Sequence, residues 1–250
     1  MRAVTTRCVV NEEHRAENMA SAMRRGLPVC DVQKPNGRRI AIVGSAPSVT
    51  EYLDELRSFD GDVLAINGAL DYLIENGVKV WGWFGIDPQA GLTKYLKKKP
   101  DVRYFVASMC DPAVFDALKD RDVSIVHLKE DNCLEPSVPG GTVAITRAPY
   151  FALQQGYRDI TIYGADASYG EAHHCYGAEP ERDDTAITVR VGNKSFRSDA
   201  TLVSQCSEFG AMAEIFSEQN YKLDFRVGGM LEAFLAEPIQ TLAQIRAANG

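Results

Sequence analysis

The residue types able to do chemistry in this chain recur at one kind of place, the end of a short apolar run. Gly44, Ser45, Ala46, Pro47 and Ser48 follow the run RIAIV (39–43), and Asn67-Gly68 follows Val63–Ile66. Asp87-Pro88 follows the run ending at Phe84, and Gly164, Asp166, Ser168 and Tyr169 follow Ile160–Tyr163. Gly140 and Gly141 lead through Thr142 into a segment with apolar residues at helical spacing, closed by Gly156. Glycines let the backbone take positive φ and pass close to a ligand, and a helix start offers unpaired N–H groups to an anion. The expected chemistry is therefore phosphate and nucleotide binding, at Gly44–Ser48 and at Gly140, Gly141 and Thr142. Asn67 is expected to orient the nucleotide, and Asp87 to belong to the same binding site.

His173 and His174 are the histidines that fall near these runs, and an imidazole near neutrality suits a general base. Catalytic roles are expected for His174, Asp166 and Tyr169. No metal site is expected, because the adjacent side chains of His173, His174 and Cys175 do not converge on one tetrahedral ion. Six dispersed cysteines, without a CxxC pair, read as reduced cytosolic thiols.

Positioning such residues requires strands whose carboxyl ends lie side by side. The runs 39–43, 63–66, 79–84, 103–106, 123–127 and 160–163 alternate with helical segments, which predicts an α/β fold with a doubly wound, mostly parallel, Rossmann-like sheet. Thr142 is expected to cap the helix before Gly156, and Pro47 to sit in the first turn of the helix after the first strand. Residues 129–139 read as a polar loop. A long loop after Tyr169, then strands at 185–191 and 194–196 around Gly192-Asn193, predict a loop and β-hairpin decoration near 170–197. Asp199 should cap a helix from about 200 to 219, followed by a strand at 222–227 and two short helices. An amphipathic helix at 11–25 and a polar lead-in make residues 1–37 an N-terminal piece ahead of one nucleotide-binding domain at 38–250.

A net charge of -7 argues against broad nucleic-acid binding, and the lysines at 97–99 read as a solvated helix end. No apolar run approaches the roughly 20 residues of a membrane span, and the N-terminus lacks a secretory apolar core, so a cytoplasmic protein is expected. A homo-oligomer is compatible with this composition.

The motifs GSAPSV, INGAL, FGIDP and GGTVAITRAPYFALQQGYRDITIYGADASY resemble, in that order, the 6-hydroxymethylpterin diphosphokinase MptE-like proteins. HHCYG and FRSDATLVSQCSEF look like a variant carried by phages and prophages. The motif order is also similar to that of bacterial sialyltransferases and Maf flagellin glycosyltransferases. The sialyltransferase resemblance implies a CMP-sugar held by Gly44–Ser48, Asn67, Gly141 and Thr142, with Tyr169 assisting the leaving phosphate. The catalytic histidine of those enzymes has no counterpart at 193–205.

Three functions follow as expectations. The first is a glycosyltransferase using a nucleotide or nucleotide-sugar donor, with an unnamed acceptor and no required cofactor. The second is an ATP-dependent diphosphokinase with Mg²⁺ on Asp87 and Asp166, and the third is a nucleotide-binding module without chemistry.

Overall fold

The structure is a computed structural model that describes residues 10–97, 100–129, 134–177 and 185–236. Part of the lysine run, part of the loop after Tyr169 and the last expected helix lie outside the described residues. Helix α1 (Glu12–Met23) comes first, followed by β1 (Arg39–Val43), a 3₁₀ helix (Pro47–Tyr52), α2 (Leu53–Arg57) and β2 (Asp62–Ile66). Then come α3 (Ala69–Glu75), β3 (Gly82–Gly85), a second 3₁₀ helix (Ala90–Tyr95), β4 (Arg103–Ala107), α4 (Pro112–Ala117) and β5 (Val123–Leu128). The chain continues through β6 (Ser137–Val138), α5 (Ala144–Gln154), β7 (Asp159–Tyr163), β8 (Ile187–Val191), β9 (Lys194–Ser198), α6 (Ala200–Glu218), β10 (Lys222–Arg226) and α7 (Gly229–Ala236).

Eight strands form one sheet in the order β10-β7-β1-β2-β3-β4-β5-β6, and β8 and β9 make a separate antiparallel hairpin. Every pairing in the large sheet is parallel, so the fold is the expected doubly wound α/β type. Parallel strands covered by helices on both faces need continuous apolar runs, and Ile40 to Val43 are accordingly buried without exception. Phe151 of α5 ties its helix to the sheet by stacking on Phe84 and meeting Phe105, at centroid distances of 5.0 and 4.9 Å.

The strand order reverses at β1. From there the chain steps outward to β6, then returns to the other side of β1 with β7 and β10. The carboxyl ends of β1 and β7 flank this reversal, which is where an open α/β sheet places its ligand crevice.

Three sequence expectations change. Ser137–Val138 pairs with β5 where a loop was expected, since two residues between prolines carry no readable period. The strand expected from residue 79 is regular only from Gly82. Helix α5 begins one residue later than expected, with Val143 as its N-cap, because the Thr142 hydroxyl turns to Glu208 of α6.

Candidate functional site at the sheet switch point

Gly44 N donates to Tyr163 O (2.9 Å) and Ala46 N to Gly164 O (3.1 Å), so β1 and β7 stay in contact past their ends. A Cβ on Gly44 would collide with the Gly164 carbonyl. Two glycines are what allow this approach, and the crevice opens directly above them.

The crevice is a cavity of about 720 Å³. Of the residues expected from sequence, Gly44, Ser45, Asn67, Asp87, Thr142, Asp166, Tyr169 and His174 line it. Pro47, Ser48, Gly140 and Gly141 do not. Ser48 lies beneath, and the glycine pair shapes the chain ahead of α5. Both glycines have φ +67°, and a Cβ on Gly141 would come 2.5 Å from Arg147 N in the first turn of α5.

The two helix starts proposed for phosphates are met by the protein's own carboxylates. Asp166, only 6% exposed, accepts from Ser48 N (3.0 Å), from the Ser48 hydroxyl and from Gly228 N (3.0 Å). It thereby joins the β1 loop, the β7 loop and the segment after β10. Glu208 of α6 accepts from Thr142 N (3.0 Å), Thr142 Oγ1 (2.5 Å) and Thr146 Oγ1 (2.5 Å) at the start of α5. Carboxylates satisfy helix N-termini for the same reason phosphates do.

Asn67 is different. It sits in the left-handed region (φ 47°), with its carbonyl taken by Trp83 Nε1 at 2.8 Å. Its side-chain Oδ1 is buried and has no hydrogen-bond partner among the described residues. A buried acceptor without a donor costs roughly 1–3 kcal/mol, and a left-handed non-glycine residue adds to that. Both features sit on the wall of the crevice.

The loop after β7 folds back over the β1 loop. Cys175 N donates to Ser45 O (2.7 Å), and Ser45 Oγ meets His174 Nδ1 at 3.1 Å. The His174 ring stacks on Tyr176 at 4.8 Å and 14°. The Tyr169 hydroxyl is bound to Asp199, the N-cap of α6, and His173 packs edge-on to the Tyr169 ring. Burial pushes the Cys175 thiol up to about 12, so it is not a thiolate near neutrality.

Sequence reading missed two cations of the crevice, Arg15 and Arg147. Arg147, 4% exposed, donates to Val138 O at 2.9 Å. It stands within the apolar stripe of α5, which is the one signal that marked it. Arg15 is brought in by α1, where Asn18 Nδ2 donates to Pro88 O (3.1 Å) and Met109 O (3.0 Å), at the ends of β3 and β4. No periodicity announces such a tether. Among the described residues, no group of three or more His, Cys, Asp or Glu side chains is arranged to hold a metal, and no helix is long and apolar enough to cross a membrane.

A parallel α/β sheet with a crevice at its switch point defines a broad class of proteins that handle small ligands at strand ends. Within it, residues 13–172 match the family described as 6-hydroxymethylpterin diphosphokinase MptE-like, and the chain belongs to that family. The match takes in α1 and so includes Arg15. Comparison with curated proteins gives no match. Among solved structures, the Maf glycosyltransferase of Magnetospirillum magneticum AMB-1 is similar in fold, with a TM-score of 0.63 at 15% identity. That likeness covers 94% of this chain and 42% of the other, so the chain spans less than half the length of this neighbour. The likeness to this neighbour is one of fold, while the family's description is of a transferase-type activity.

Proposed function

We propose that the chain is a nucleotide-dependent transferase that moves a glycosyl group from a nucleotide-linked donor to an acceptor hydroxyl. The observation that carries this reading is Asn67, whose buried Oδ1 lacks a donor at the wall of the crevice. An amino or hydroxyl group of the nucleotide would supply that donor once the amide turns toward the crevice. Arg15 and Arg147 offset the donor's phosphate charge. In this reading His174 is the tautomer whose Nδ1–H donates to Ser45 Oγ, 3.1 Å away, which leaves its lone pair on Nε2. Nε2 then takes the acceptor's proton as its oxygen bonds to the anomeric carbon. The bond from that carbon to the donor phosphate breaks, and its electron pair leaves with the phosphate. Asp166 braces the two loops that hold this arrangement, and Tyr169 orders the start of α6 through Asp199.

The test is a thermal-shift screen of nucleotides and nucleotide sugars on the native chain and on Asn67→Gly. Glycine accepts the left-handed backbone, whereas alanine there would add strain of its own. Asn67→Gly should melt no lower than the native chain without ligand and bind the nucleotide about tenfold more weakly, the value of one lost hydrogen bond. An unchanged affinity removes Asn67 from the site, and a native chain that binds no nucleotide overturns the reading.

The family's description favours a second reading, ATP-dependent diphosphoryl transfer, which would need Mg²⁺ on Asp87 and Asp166. These residues fit the ion poorly. Asp166 is committed to three protein donors, and the exposed Asp87 accepts from Gln89 N at 2.9 Å. No step is therefore derived through a metal.

A further inference from the structure

Beside the crevice lies a second cavity of about 290 Å³, walled by Tyr72, Tyr95 and Tyr176. Three segments build it. Helix α3 brings Asp71, Tyr72 and Glu75, the 3₁₀ helix after β3 brings Lys94 and Tyr95, and the loop after β7 brings Tyr176. A Cβ on Gly68 would lie 2.5 Å from the Tyr176 ring and 2.9 Å from the Tyr95 ring. Only glycine lets both rings close over the backbone that follows Asn67. The rings of Tyr95 and Tyr176 meet at 6.2 Å and 58°.

The two cavities share a wall, because Tyr176 lines the second and stacks on His174, which lines the first. Asn67, which lines the first cavity, is followed directly by Gly68, which lines the second. A molecule seated among the tyrosines is thus one aromatic ring away from the imidazole proposed as the base.

The chemistry of the lining selects the occupant. Asp71 and Glu75 bring carboxylate acceptors to the lining, and Lys94 and Lys97 bring N–H donors. Among the described residues, the lining carries two carboxylates and two ammonium groups. Aromatic walls with balanced donors and acceptors suit a neutral, hydroxyl-rich ring whose C–H faces lie against tyrosine carbons.

We propose that this tyrosine-walled cavity is the acceptor subsite and that it takes a saccharide ring. The proposal rests on the transferase reading for the word acceptor, but the binding of a sugar here does not depend on it. The experiment is saturation-transfer NMR with methyl β-glucoside, methyl β-galactoside and N-acetylglucosamine, on the native chain, Tyr95→Ala and Glu75→Gln. The nucleotide thermal-shift screen is run on all three proteins. At least one sugar should receive saturation from the native chain, and its affinity should fall about tenfold in each variant while nucleotide shifts stay native. Should Tyr95→Ala fail to fold, the near-isosteric Glu75→Gln decides. The proposal is overturned if none of the three sugars is contacted by the native chain, or if contact is unchanged in Glu75→Gln. Sugar contact without any nucleotide shift would sink the transferase reading and leave the saccharide site standing.

Discussion

Asp166 sets one carboxylate against donors from two loops that lie 118 and 62 residues away in sequence. An amide of the same shape keeps one good acceptor but turns an N–H₂ toward Ser48 or Gly228, so at least one bond becomes a clash of donors. Hydrogen bonds to charged groups contribute about 1.5–3 kcal/mol each. Asp166→Asn should therefore destabilise the fold by about 2–3 kcal/mol, read as a fall in denaturation midpoint by urea titration. A native midpoint would show that the carboxylate is free to act elsewhere, as a base or a metal ligand. The sequence marks Asp166 well, because a polar residue after an apolar run is a visible pattern. What it does not carry is the identity of the partners, since nothing local in Gly228 or Ser48 points to position 166. Asn67 is the converse case. Its strand-end position is legible, while the empty acceptor that makes it interesting exists only once Trp83, Phe84 and the crevice wall surround it.

At the scale of elements, the segment from Gly140 to Tyr163 shows how a correct outline can hide a different cause. The glycine pair does adopt positive φ, as its composition suggests. Its purpose in the fold is to bring the chain back across the first turn of α5, where a Cβ on Gly141 meets Arg147 N and Thr146 backbone atoms. Backbone cannot move aside as a flexible side chain can. Gly141→Ala should thus cost about 2–4 kcal/mol, combining left-handed strain with the clash, and lower the melting temperature by roughly 5–10 °C. Gly91→Ala is the matched control, since a Cβ there meets nothing within 4 Å. If both variants melt like the native chain, the glycine pair is not structural and the space above it belongs to a ligand. Helix limits were readable to within a residue or two here because caps and apolar stripes are local. Glu208 as the capping carboxylate was not, because it arrives from α6.

For the whole molecule, alternation of apolar runs and helical segments was enough to indicate a parallel sheet, but not its order. Which side of β1 receives β7 is decided by helix packing over the entire sheet, and that choice creates the crevice. Likewise α1 reads as a lead-in, yet Asn18 fastens it to the ends of β3 and β4 and carries Arg15 into the site. The source of charge compensation for a bound nucleotide follows from this assembly. Phosphates entering the crevice of a chain with net charge -7 need positive charge, from a divalent ion or from side chains. The carboxylates proposed for an ion are engaged by protein donors, and two cationic residues, Arg15 and Arg147, line the cavity. Nucleotide affinity measured by titration calorimetry should accordingly survive EDTA. It should instead fall as salt rises, because added ions screen the attraction between guanidinium and phosphate. Arg15→Gln should weaken binding and flatten that salt dependence, while leaving the sheet intact because α1 is held by Asn18. Affinity that collapses in EDTA and returns with Mg²⁺ would reverse the order of the two enzymatic readings and put diphosphoryl transfer first.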